Sequence, residues 1–173
     1  MKKTALLSVL GLLISGSSIA TTNTFDVTFD VQDVSQELAI EEVAPISFPT
    51  IFLDESIKNG AWCATHDTND SALCKDTTAE NGERTSGQYR ITGTKNMPIS
   101  IATTNFQTVI NGFQLWPAPK GSSYDQDSYQ HNDTIGTEGF VDITIYGYLK
   151  LVDKSQVTAQ QTTLSFDITA SYN

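Results

Sequence analysis

Lysine and arginine are scarce in this chain, ten against 20 aspartates and glutamates over 173 residues, for a formal net charge of −10. Phosphate binding needs clustered basic residues, so a nucleic-acid partner is excluded, and an anionic membrane surface is disfavoured. Histidine is sparser still, with only His66 and His131, both in polar stretches. There is no Gly-x-Ser-x-Gly elbow, Walker loop, Gly-x-Gly-x-x-Gly turn or His-Glu-x-x-His pair. Serines and aspartates are plentiful, but abundance singles out none of them for nucleophilic work. The chain therefore reads as non-enzymatic, with no catalytic residue and no cofactor. No stretch sustains helical periodicity; Val34 to Val43 is the one candidate turn of helix, and it reads equally well as strand.

Two cysteines are present, Cys63 and Cys74, with ten residues between them. In an exported chain an even count reads as a disulfide. Closing a loop of this length stabilises a fold by about 2.5–3 kcal/mol. A zinc site needs a fourth ligand, and His66 alone between the cysteines does not complete one. Two acidic loops, one with Asp67 and Asp70 and the other with Asp125, Asp127 and Asp133, lack the calcium-loop spacing and read as solvated surface, so no metal is expected.

The N-terminus explains the export. Lys2 and Lys3 precede an apolar run from Ala5 to Ile14, and Ser18-Ile19-Ala20 offers small residues at the two positions a signal peptidase reads. The expected organisation is a signal peptide over 1–20, an alternating strand over 21–34 and one domain over 35–173. Without Lys2 and Lys3, eight basic residues face 20 acidic ones, a net of −12 that suits a soluble secreted protein. No later run approaches ~18 apolar residues, so no transmembrane segment is expected after the signal.

Strand signals dominate what remains. Thr24 to Val31 alternates Phe25, Val27, Phe29 and Val31 with polar residues, and Leu164 to Tyr172 does the same with Leu164, Phe166 and Ile168. Gln88–Thr94, Met97–Ala102 and Phe140–Val152 alternate too, Gly147 marking a bulge or bend. Ile46–Leu53 reads as an edge or bulged strand because of Pro45 and Pro49. Asn111-Gly112, between apolar arms, is the strongest hairpin signal present. Asn59–Ser86 and Lys120–Glu138 read as long polar loops. Seven or eight strands suggest one antiparallel immunoglobulin-like β-sandwich, all-β. Phe113, Trp116, Tyr124 and Tyr129 are candidates for a sugar-stacking surface, although such residues more often serve as core or loop anchors.

A signal peptide, an alternating N-terminal segment, a sandwich-sized domain, one cysteine pair and a last strand with Tyr172 second from the end together resemble the fimbrial subunits of the chaperone–usher pathway. Gly139 to Asn173 also looks like a family of uncharacterised bacterial Ig-like surface proteins ending in Tyr-Asn. The first resemblance implies a sandwich lacking its last strand. A periplasmic chaperone fills the groove first, and the N-terminal extension of the next subunit then replaces it as an outer-membrane usher assembles the fibre. It implies Phe25, Val27, Phe29 and Val31 as donor-strand knobs. Leu164, Phe166, Ile168 and Tyr172 would line the receiving edge or touch the chaperone. It further implies other pilus subunits as partners, export to the bacterial surface and a role in cell adhesion. Donor strands of that family often carry a small residue where the groove narrows, and none lies between Thr24 and Val34. Residues 24–34 are thus either a donor strand or the first strand of a self-complete adhesin or carbohydrate-binding domain.

Overall fold

Alternating burial makes the longest strand legible at once: Ile143, Ile145, Gly147, Leu149 and Leu151 are buried, while Thr144, Tyr146 and Tyr148 between them are half-buried. A computed structural model describes residues 36–66, 72–74, 83–104, 106–125 and 127–173, without the side chains of 124 and 125. Among these residues are nine strands: β1 (Ala39–Ala44), β2 (Trp62–Ala64), β3 (Gly87–Thr92), β4 (Pro98–Thr104), β5 (Phe113–Pro119), β6 (Ser123–Asp125), β7 (Ser128–Thr134), β8 (Phe140–Leu151) and β9 (Asp167–Tyr172). All pairings are antiparallel. The signal peptide and the alternating segment with Phe25, Val27, Phe29 and Val31 lie outside the described residues.

Two sheets pack face to face. In the first, β8 is central. Leu149 is paired with both Cys63 of β2 and Leu115 of β5, so these strands flank β8 on opposite sides. Gly87 of β3 and Pro119 of β5 likewise both pair with Ile145. β3 and β2 therefore follow one another along one side of β8, with β1 outside β3 and β5 on the other side. The second sheet runs β6-β7-β4-β9. An immunoglobulin sandwich places strands A, B, E and D in one sheet and C, F and G in the other. Here β1, β3, β4, β5, β8 and β9 occupy the A, B, C, D, E and F positions in chain order; β2 and the β6–β7 hairpin are additions.

Two apolar clusters fill the sandwich. Tyr89, Ile91, Ile99, Ile101, Ile135, Ile143 and Ile145 meet between the sheets. Leu73, Phe113, Leu149 and Leu151 gather around Cys63 and Cys74. Those cysteines form the expected disulfide, with Cα atoms 5.4 Å apart. Burying each large side chain is worth about 1.5–3 kcal/mol.

The Asn111-Gly112 turn forms as expected, both residues at positive φ (49° and 77°), with Ile110 and Phe113 exchanging backbone hydrogen bonds of 2.9 Å. Gly112 does more than turn the chain. A Cβ there would lie 2.2 Å from the Asp153 carbonyl oxygen, and its own carbonyl accepts from the N–H groups of Val152 and Asp153. Gly112→Ala is expected to cost at least about 2 kcal/mol, read as a lower urea midpoint with unchanged slope.

Four expectations are corrected. Ile46–Leu53 is not a strand. Only Ser47 makes a bridge, to Thr85, and Ile46 and Phe48 instead pack inward above Gly147. A Cβ on Gly147 would approach them to 2.7 and 2.9 Å, so this glycine is small to admit them; β8 keeps its register with β5 through it rather than bulging. Neither long polar loop is one: Lys120–Glu138 carries the β6–β7 hairpin, and Asn59–Ser86 carries β2. Phe113 belongs to the core, 8% exposed, and cannot form part of a sugar-stacking surface.

Candidate functional site

Sheet edges invite another strand, and proteins usually blunt them with charge, proline, a bulge or brevity. In the first sheet, β1 carries Glu41 and Glu42 and a register shift between Glu42 and Ala44. β5 carries Pro117 and Pro119, which lack the N–H a neighbour would need. In the second sheet, β6 is only three residues long. β9 differs from all of these. It pairs with β4 in unbroken register from Ile99↔Tyr172 to Thr104↔Asp167, and contains neither proline nor lysine. Among the described residues no strand runs along its other side, where an immunoglobulin sandwich has strand G.

The face behind this edge is apolar. From Leu164 to Tyr172 every even-numbered side chain is half-buried and every odd-numbered one exposed. Phe166, Ile168, Ala170 and Tyr172 rest against the inter-sheet cluster, beside Leu38 and Ile46, yet remain partly open. Phe166 meets Tyr89 edge to face at 6.3 Å. Leu164 instead packs on the cluster around the disulfide. Of the four residues expected to line one edge, Ile168 and Tyr172 stand on β9, while Leu164 and Phe166 lie ahead of it.

Tyr172 fastens one end. Its hydroxyl accepts from the Thr94 N–H at 2.7 Å and donates to the Gln36 carbonyl at 2.8 Å, tying β9 to the β3–β4 turn and to the segment before β1. This contact depends on Gly93: a Cβ there would sit 2.6 Å from both the Tyr172 hydroxyl oxygen and Leu38 Cδ2. The Tyr172 position was legible in the sequence, whereas the role of Gly93 was not, because its partners are distant along the chain.

No family model matches the chain, and neither does any curated protein.

Deeper in the same cluster, the Tyr89 hydroxyl donates to Glu42 Oε2 at 3.3 Å. Burial, then the Glu42 charge and this hydrogen bond, push the phenol up to about 12 from its ordinary 10.0. A raised folded value favours the protonated native state. Its contribution is complete below pH 10 and is lost as pH rises through about 12. The urea midpoint should therefore fall across that window, and Tyr89→Phe should fall less steeply.

The remaining sequence candidates separate. Trp116 and Tyr129 both pack on Phe106, at ring distances of 5.7 and 5.8 Å. The Tyr124 side chain lies outside the described residues. His66 stacks on Tyr146 at 4.3 Å, and His131 lies 3.7 Å from Asp133 in β7. Trp62, Tyr146 and Tyr148 were missed as candidates. They stand on strands β2 and β8, and only pairing brings them together.

Proposed function

We propose that this protein is a secreted structural subunit of a bacterial surface fimbria, assembled by donor-strand exchange. Residues 24–31 of one copy insert along β9 of the next. The observation that carries the reading is β9 itself: an unblunted edge backed by half-buried Phe166, Ile168 and Ala170. An added strand gains backbone hydrogen bonds along such an edge, and alternating side chains set its register. Phe25, Val27, Phe29 and Val31 have the required period, with Asp26 and Asp30 facing away. Before assembly, a periplasmic chaperone strand covers the same edge, and an outer-membrane usher delivers the subunit to the cell surface, where the fibre contributes to adhesion. The test is size-exclusion chromatography with light scattering on residues 21–173. A ladder of self-associated species is expected; a stable, exclusively monomeric protein contradicts the reading.

A further inference from the structure

The outward face of the first sheet carries aromatic rings where a solvent-facing strand ordinarily carries polar residues. Backbone register sets Tyr148 of β8 opposite Trp116 of β5, and Lys150 between Trp62 of β2 and Gln114 of β5. Trp62 and Tyr148 lie 6.4 Å apart, centre to centre, with planes 43° apart. Tyr146 is held from the side by His66, which stacks on it and meets Tyr148 edge-on at 5.2 Å. Beyond β5, Tyr129 and Trp116 share buried Phe106 as a base. Trp62, Trp116, Tyr129, Tyr146 and Tyr148, with the Gly121–Ser122 turn, line an open trough of about 550 Å³. That is the size of a small-ligand cleft rather than of a flat protein interface.

The charge of the trough is opposite to that of the chain. Lys150 is exposed and is the one charged group among its lining residues, in a sequence of net charge −10. Rings with apolar faces and polar tips, close to a hydroxyl at Ser122, suit a ligand with one apolar face and a hydroxylated rim. A pyranose ring has that character, and an anionic substituent on it would find Lys150. We propose that this trough binds an acidic saccharide. The sugar ring packs on Trp62, Tyr148 and Trp116, and its carboxylate or sulfate pairs with Lys150. The proposed ligand contacts Trp62, Tyr148, Trp116 and Lys150 stand on the first sheet, and β9 on the second, so the proposal does not depend on strand exchange.

The test is a glycan array holding uronate-, sialate- and sulfate-bearing glycans beside neutral glycans of the same backbones. The protein should be retained on acidic members and weaken as salt is raised. Lys150→Ala, at an exposed position, should reduce that signal about tenfold or more, as expected for a lost charge-assisted hydrogen bond. Trp62→Ala should abolish it; circular dichroism confirms that each variant is folded, and Tyr146→Ala provides a second ring variant distant from the cysteines. Equal retention on neutral and acidic members, retention unchanged by Lys150→Ala and the ring variants, or no retention on any glycan would overturn the proposal.

Discussion

Deleting residues 21–32 is expected to abolish self-association and to leave a folded acceptor that binds the missing segment in trans. The described sandwich supplies its own reason to stay folded. The two apolar clusters, the disulfide and the pairings of the nine described strands all lie within residues 36–173. What the deletion removes is the row Phe25, Val27, Phe29 and Val31. If each knob buries its side chain against the β9 edge, each contributes about 1.5–3 kcal/mol. A synthetic peptide of residues 21–34 should then bind the shortened protein and raise its melting temperature through mass action. Replacing Phe29 by Asp in that peptide removes one knob and buries a charge. Its affinity should fall by at least about two orders of magnitude. An unfolded deletion variant, alongside a monomeric intact protein, would mean that residues 24–34 complete their own sandwich.

Gly93→Val is expected to have the largest effect of any single substitution near the edge. A Cβ at this position meets Tyr172 and Leu38 at 2.6 Å, and the branched methyl groups of valine need still more room. Relief requires the Tyr172 ring to move, which breaks its bonds to Thr94 and Gln36. Overpacking costs about 1–3 kcal/mol, and a half-buried N–H left without its acceptor costs about 1–3 kcal/mol more. Thermal unfolding should drop by about 5–15 °C for a domain of this size. Tyr172→Phe removes only the hydroxyl and should account for a minority of that drop. Because Tyr172 fixes the end of β9, Gly93→Val should also weaken capture of the 21–34 peptide, whereas Gly112→Ala, at the far hairpin, should not.

The elements that were legible in the sequence are those with one face in the core. β3, β4, β8 and the run leading through β9 all show the alternation that burial requires, and Asn111-Gly112 marks its own turn. The β6–β7 hairpin was hidden because β7 lies near the edge of the second sheet and none of its residues is fully buried, Tyr129 alone packing on buried Phe106; Ser128 to Thr134 has no apolar period to read. Ile46–Leu53 misleads for the opposite reason. Ile46 and Phe48 pack across Gly147, and Ile51 and Leu53 pack on the cluster around the disulfide, without joining a ladder. Phe113 looked like part of an aromatic surface, but strand parity turns it inward beside Leu115. The apolar pattern of the candidate edge was visible, while its edge position was not. Whether a strand has one neighbour or two depends on pairings dozens of residues apart, as between Ile99 and Tyr172. The aromatic trough has the same character, assembled from three strands that no local window spans.

The central claim is that residues 24–31 pair with β9 of a different copy, and mixed-label cross-linking tests it most directly. One population carries a photo-cross-linking residue at position 27 and the natural isotopes; the other carries no cross-linker and is labelled with ¹⁵N. The two are unfolded together, refolded, irradiated and digested. Donor-strand exchange predicts cross-linked peptides that join position 27 of an unlabelled copy to the Phe166–Tyr172 region of a labelled one. Cross-links found only within unlabelled copies, from a protein that elutes as a monomer, would contradict it.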